Sequence, residues 1–286
     1  MRREVQELGS SAIDPAGKPA LSRWLEFVMR ASGTIAGFSS KFPRAIRRHG
    51  FFGAFGVAIG QATDLASRLR PSVRSETLRS KQRARDFDQR FGVDTAGYIH
   101  PTALTLRHPN KVHAVSYGAS DPEDFKSGIA SLPINYSDFV FVDFGSGKGR
   151  AILLASEFPF RRVIGVEFSE ELHKIAQNNI RHFLRNAANC TDVESVCLDA
   201  IDYPLPDDNL VCYFCNPFDA ALMTQMVANI RDSLLRKPRD IFILYYNAKE
   251  GHVFDRANCF KRVETNGWIR IWRSASETEK IQKGLC

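Results

Sequence analysis

From Asp138 onward, short apolar runs alternate with longer stretches whose apolar positions recur at helical spacing. Phe139–Asp143, Arg162–Glu167, Val193–Leu198, Leu210–Cys215 and Asp240–Tyr246 read as strands. Arg150–Glu157, Glu170–Arg185 and Ala220–Leu235 read as helices. Two further apolar runs, around Phe260–Val263 and Trp268–Trp272, flank Asn266-Gly267, a strong signal for an antiparallel hairpin. Strands that alternate with helices predict an α/β fold: a Rossmann-like, doubly wound, mostly parallel sheet with helices on both faces. The hairpin would close it. Ligands of such sheets sit beyond the carboxyl ends of the strands.

Upstream the pattern differs. Residues 1–18 are polar, with Gly and Pro, and read as a loose tail. Leu21, Trp24, Leu25, Val28 and Met29 form one apolar stripe of a helix. A second helical stretch covers Phe51 to Leu69, where Gly56 and Gly60 form a G-x-x-x-G. That spacing suits close packing between helices or a weak contact with a membrane surface. Residues 70–90 are basic and polar, a linker or a solvated helix. Gly92 to Pro101 reads as a loop. Ser120 with Glu123 three residues on, and Pro122 between them, predicts a capped helix running to about Ala130. The expected organisation is a basic helical extension over 1–90 and a ligand-binding domain over 91–286.

Composition changes this picture in two places. Hydrophobic residues make up 44% and charged residues 25%, which excludes a globally disordered chain. The net charge of +7 is unevenly spread: residues 1–90 hold 17 Lys or Arg against 8 Asp or Glu. This basic excess could contact nucleic acid, anionic lipid or another acidic macromolecule, or simply form a solvated face. Six cysteines follow no disulfide spacing and read as reduced thiols of a cytoplasmic protein. Arg2 and Arg3 are followed by Glu4 and Glu7 and no apolar run, unlike a secretory signal. The most apolar stretch, Phe51 to Ala62, is too short to span a bilayer.

The candidate chemistry lies in Val142-Asp143-Phe144-Gly145-Ser146-Gly147-Lys148-Gly149-Arg150, between a strand and a helix. Glycines there allow a sharp turn and close backbone approach to a ligand. A phosphate loop of the form G-x-x-x-x-G-K-[ST] is excluded, because Val142 and Gly149 occupy its first and last positions. A dinucleotide fingerprint is weakened by Arg150 at its third glycine. The pattern D-x-G-x-G-x-G fits at every position. Glu167 ends the second strand, 18 residues after Gly149, where a carboxylate can accept both hydrogen bonds of a ribose diol. Asp199 ends the third strand and can meet an adenine amine. Asn216-Pro217-Phe218 ends the fourth.

This constellation resembles the class I S-adenosylmethionine-dependent methyltransferases over roughly residues 115–275. Asp143 to Gly149 is similar to that superfamily's first motif, whose loop wraps the methionine part of the cofactor. Val163-Ile164-Gly165-Val166-Glu167 is similar to its ribose-binding strand. The run from Gly145 to Arg150 also resembles the lysine methyltransferases related to Dot1, in this motif only. The resemblance implies S-adenosyl-L-methionine as cofactor, held by Asp143, Gly145, Ser146, Gly147, Gly149, Glu167 and Asp199, with Tyr117 closing over it from the N-terminal side.

Asn216-Pro217-Phe218 resembles the (D/N/S)-P-P-(Y/F) motif of amino-group methyltransferases, with one proline missing. In that motif a side-chain oxygen and a backbone carbonyl orient the target nitrogen. The same residues also suit a plain strand-to-helix turn. Tyr245, Tyr246 and Asn247 are candidates for the acceptor pocket. Lys148 and Arg150 are expected to face solvent or the helix surface. Cys212 and Cys215 should point to opposite faces of their strand, and no metal site is expected. His100, His108, His113 and His173 have no partner spacing that indicates catalysis. The sequence reading is methyl transfer to an unidentified acceptor, with nitrogen favoured. An NAD-dependent oxidoreductase and a non-catalytic binding scaffold are the alternatives.

Overall fold

In the computed structural model the described residues are 71–100, 103–104, 116–185, 188–263 and 268–275. The helical stripes expected at 21–29 and 51–69, the Asn266-Gly267 turn, His108 and His113 lie outside them. The chain divides into two compact units, Met1–Thr77 and Leu78–Cys286. The second unit carries the sheet.

That unit is a seven-stranded sheet of β3 (Phe139–Phe144), β4 (Arg162–Glu167), β5 (Val193–Cys197), β6 (Asn209–Phe214), β7 (Ile241–Tyr246), β8 (Phe260–Val263) and β9 (Ile269–Ser274). The order is β5-β4-β3-β6-β7-β9-β8. Neighbours from β5 through β7 pair in parallel. β9 runs antiparallel to both β7 and β8, so the closing hairpin forms as expected. A separate two-stranded ribbon pairs β1 (Tyr98–Ile99), inside the Gly92–Pro101 stretch that reads as loop in the sequence, with β2 (Tyr117–Gly118).

Burial explains the strands. All six residues of β3, Phe-Val-Phe-Val-Asp-Phe, are buried, as befits a central parallel strand covered on both faces. Successive side chains enter different cores. Val140, Val142 and Phe144 join Leu210, Cys212 and Phe214 on one face. Phe139 and Phe141 join Val211 and Tyr213 on the other. Cys212 accordingly sits in the first core, while Cys215 packs against the second.

The helices are α1 (Pro71–Phe91), α2 (Pro122–Ala130), α3 (Arg150–Ser156), α4 (Glu170–Phe183), α5 (Ala220–Arg236) and α6 (His252–Arg256). Residues 70–90 are thus neither a linker nor a wholly solvated helix. Ala84 and Phe87 of α1 are buried, and the Phe87 ring stacks 5.8 Å from that of Phe183. At α2 the cap is Asp121, not Ser120. The Asp121 carboxylate accepts from the amides of Glu123 and Asp124 at 2.9 and 3.2 Å. Pro122 fixes the first helical position, so the cap falls on the residue before it. The Ser120 hydroxyl is instead bonded by the Tyr213 phenol at 2.8 Å.

All seven residues of α3 are buried. The helix lies so close to β4 that a Cβ on Gly165 would come within 2.0 Å of Ile152 Cδ1 and 2.8 Å of Ser146 Oγ. Gly165→Ala is therefore expected to destabilise the protein by about 1–3 kcal/mol, the usual cost of overpacking. Denaturant unfolding checks this, and an unchanged midpoint would contradict so close a packing of α3 on the sheet.

Candidate active site

At the end of β3 the chain reverses through Gly145, Gly147 and Gly149, with φ of 77°, 56° and 88°. Gly145 and Ser146 donate their amides to the Val166 carbonyl at 2.9 and 3.1 Å. The loop is thereby tied to the neighbouring strand. Glu167, at the tip of that strand, completes the tie. One carboxylate oxygen accepts the Gly147 amide at 2.8 Å, and the other accepts the Ser169 amide at 2.8 Å. A side chain at position 147 is excluded twice. The left-handed backbone disfavours it, and its Cβ would stand 2.3 Å from the Tyr117 ring.

The loop opens onto a cleft of about 720 Å³, counting its mouth. It lies beside the carboxyl ends of β3, β4 and β6, where the strand order reverses. Tyr117, Asp143, Gly145, Ser146, Gly147 and Glu167 all line it. So do Asn216, Pro217 and Phe218. Asp199 lines an adjoining hollow that shares Gly145, Phe168 and Phe218 with the cleft. Its carboxylate accepts the Ile201 amide at 3.0 Å. Gly149 stands apart from the lining. It is the N-terminal cap of α3 and serves the loop's geometry.

The cleft suits a cation. Asp143 is 2% exposed, and its Oδ1 has no hydrogen-bond partner. Ser146 Oγ is likewise buried and unpartnered. Burial raises the Asp143 carboxyl well above its ordinary value, and the nearby Glu167 charge adds to the shift. Burial also raises Glu167, against the pull of the amides it accepts. Two buried carboxyls, one with an orphaned oxygen, disfavour their own ionisation until a positive group arrives. S-adenosylmethionine brings an ammonium and a sulfonium, so the residues present fit this cofactor.

The two basic residues of the glycine loop turn inward, contrary to their expected solvent exposure. Lys148 is 8% exposed and its Nζ meets Asp94 Oδ1 at 2.7 Å. Arg150 is 1% exposed. Its Nη2 donates to Asp88 Oδ1 and the Ala84 carbonyl, both at 2.8 Å, and its Nε donates to Thr95 Oγ1. Its guanidinium carbon lies 4.5 Å from the centroid of the Phe87 ring, a cation–π contact. Burial lowers the Arg150 pKa from its ordinary value, while the Asp88 charge raises it. Asp88 in turn accepts the Thr95 hydroxyl and the amides of Thr95 and Ala96. Asn179 adds a second tie: its side chain bonds both polar backbone groups of Asp94 and the Lys148 carbonyl. The Tyr117 hydroxyl donates to the Thr95 carbonyl, which sets the ring against Gly147. Asp88, Thr95 and Asn179 carry no motif and are missed by a sequence reading.

On the opposite wall Asn216 adopts φ of 49°, a left-handed conformation in a residue other than glycine. Asn247, at the end of β7, does the same with φ of 51°. The Tyr245 hydroxyl reaches Asn216 Oδ1 at 3.5 Å, and burial pushes its pKa up to about 12. Tyr246 contacts Asp124 Oδ2 at 3.3 Å. His173 is engaged with Ser195 at 2.8 Å, and His100 does not line the cleft. Among the described residues no cluster of His, Cys, Asp or Glu could hold a metal ion.

The seven-stranded sheet with its closing antiparallel hairpin is the Rossmann-like fold found in class I S-adenosylmethionine-dependent methyltransferases. Residues 96–192 match the family model for the histone methylation protein DOT1, a span of less than half the chain. No curated protein matches the sequence. Among solved structures, an RNA methyltransferase from Salinibacter ruber bound to S-adenosyl-L-homocysteine is similar at 17% identity and a TM-score of 0.37. The similarity covers 53% of this chain and 89% of that one. A predicted N6-adenine-specific DNA methylase from Listeria monocytogenes is similar at 12% identity and a TM-score of 0.42, over 55% of this chain and 51% of that one. The ribosomal protein L11 methylase of Lactobacillus delbrueckii is similar at 14% identity and a TM-score of 0.38, over 55% and 79%.

Gly147→Ala should fold but lose at least about tenfold in affinity for S-adenosylhomocysteine, because the added methyl displaces Tyr117 and strains the loop. Calorimetric titration of the variant measures this. Wild-type affinity would mean that the loop and Tyr117 do not shape the binding cleft.

Proposed function

We propose that this chain is an S-adenosylmethionine-dependent methyltransferase that transfers the methyl group to a nitrogen of a macromolecule. The observation that carries the reading is Asn216-Pro217-Phe218 on the wall of the cleft that holds the orphaned Asp143 oxygen. The left-handed backbone at Asn216 costs about 1–3 kcal/mol, and such strain collects at functional sites.

When bound, the cofactor supplies an electrophilic methyl on a sulfonium. The chain's own residues hold and aim. Asp143 pairs with the α-ammonium, and Ser146 and the loop amides line the methionine part. The Glu167 carboxylate already accepts the amides of Gly147, Phe168 and Ser169 and keeps lone-pair capacity for a ribose hydroxyl. Asp199 faces the adenine side. Asn216 Oδ1 and the backbone beside it accept hydrogen bonds from the target nitrogen and keep its lone pair on the line of displacement. Phe218 packs against the acceptor. Methyl transfer is an in-line substitution, so orientation of this kind supplies much of the rate.

The DOT1 match, whose description concerns histone methylation, favours a protein amine as acceptor. The basic excess in residues 1–90 supports recruitment of an acidic surface, and the free thiols suit a cytoplasmic setting.

Titration with S-adenosylhomocysteine is expected to give saturable binding near the micromolar range, abolished in Glu167→Ala and absent with NAD in a parallel titration. No binding of S-adenosylhomocysteine, or binding of NAD in its place, would overturn the reading. Once an acceptor is found, Asn216→Gly should relieve the backbone strain yet lower kcat about 100-fold with cofactor affinity unchanged. An unaltered kcat would remove Asn216 from the acceptor site.

A further inference from the structure

We propose that Tyr245 is a positioning residue: its phenol O–H holds the Asn216 carboxamide so that Oδ1 stays fixed as the acceptor for the target nitrogen. The inference rests on the acceptor role given to Asn216 above. It adds a residue of β7, outside the Asn-Pro-Phe motif, to the acceptor side of the site.

Packing alone does not call for a tyrosine at this position. The Tyr245 ring is buried, 5.9 Å from that of Phe214 and 6.3 Å from that of Phe254, and a phenylalanine would fill the same space. The hydroxyl must then find partners, because an unmet polar group in the core is costly. It accepts from the Glu250 backbone amide and donates to Asn216 Oδ1 at 3.5 Å. Burial pushes the phenol's pKa up to about 12, so at neutral pH it keeps the proton that it donates. Turning the carboxamide over would set an amide N–H against that proton and leave both unmet. A carboxamide oxygen has two lone pairs, so one remains for a target N–H. Bonds of this kind are often long before the substrate is aligned and shorten in the loaded complex.

The backbone of both strands is shaped around this contact. Phe214 and Tyr245 are register partners on β6 and β7. Two residues past each stands an asparagine, Asn216 with φ of 49° and Asn247 with φ of 51°. Among the described residues these are the two other than glycine with left-handed backbone. Asn247 begins a turn: its carbonyl accepts the Lys249 amide at 2.7 Å, and its amide donates to the Trp268 carbonyl at 2.9 Å. That turn brings the Glu250 amide back to the phenol. Strain at both ends thus serves one chain of hydrogen bonds, Glu250 to Tyr245 to Asn216, whose last member lines the cleft.

Sinefungin tests this without a known acceptor. In this cofactor analogue a carbon bearing a primary amine replaces the methylated sulfur, so its ammonium reaches toward the place of the target nitrogen. Calorimetry on the full chain compares it with S-adenosylhomocysteine, which lacks that amine. The wild-type protein should bind sinefungin about 10-fold more tightly or better, the range of a hydrogen bond from a charged donor. Tyr245→Phe and Asn216→Gly should each lose most of that preference, with affinity for S-adenosylhomocysteine unchanged. The double variant should lose no more than Asn216→Gly alone, because Tyr245 acts through Asn216. A Tyr245→Phe protein that keeps the wild-type preference overturns the inference. So does an additive double variant, the mark of independent roles, or an equal loss for both ligands, the mark of damaged packing. Should Tyr245→Phe not fold, Tyr245→Met deletes the same hydroxyl with a side chain that adapts to the gap. An Asn216→Gly protein that keeps the preference would strike the acceptor role of Asn216 and this inference with it. Failure to bind S-adenosylhomocysteine at all would instead strike the cofactor reading itself.

Discussion

The hydrogen bond from the Gly147 amide to Glu167 is the constraint on which the site depends. It joins the tips of β3 and β4 and holds the reversal between them in a left-handed path. Without that path α3 could not start at Arg150, and the close seat of α3 on Gly165 would be lost. The same bond brings two carboxyls, Glu167 and Asp143, into one buried space. Burial raises both, and the Glu167 charge adds to the cost of ionising Asp143. A cleft built this way favours a cationic ligand by its electrostatics before any shape is considered.

The second layer of support comes from far along the chain. Asp88 and Thr95 reach Arg150, and Asp94 reaches Lys148 and Asn179. A buried guanidinium without its carboxylate partner would be strongly unfavourable. The end of α1 and the segment after it are thus fastened to the glycine loop from behind. Thr95 then passes the constraint to Tyr117, whose ring sets one wall of the cleft. Cofactor pocket and N-terminal helix end form one connected network within the compact unit that begins at Leu78.

The sheet and the glycine loop were legible in the sequence because both are local. Apolar runs such as Phe139–Phe144 and the spacing of Gly145, Gly147 and Gly149 need no distant partner to be read. The buried roles of Lys148 and Arg150 were not legible. A basic residue after a glycine looks solvated unless its counter-charge is known, and Asp88 lies 62 residues upstream. The α2 cap was misassigned to Ser120 for a related reason. The local pattern Ser-x-x-Glu was real, but Tyr213 on β6 claims that hydroxyl, 93 residues away. Asn216 was found by its motif, whereas its left-handed backbone, with Tyr245 bonded to its amide, was visible only in the fold.

The most direct test of this account is amide hydrogen exchange with and without S-adenosylhomocysteine. Ligand should slow exchange at 143–150 and 167–169, and also at 94–96, because Thr95 is tied to the loop through Arg150 and to the cleft through Tyr117. Protection confined to other parts of the sheet, or a loop that protects while 94–96 stays unchanged, would contradict the claim that one network shapes the site.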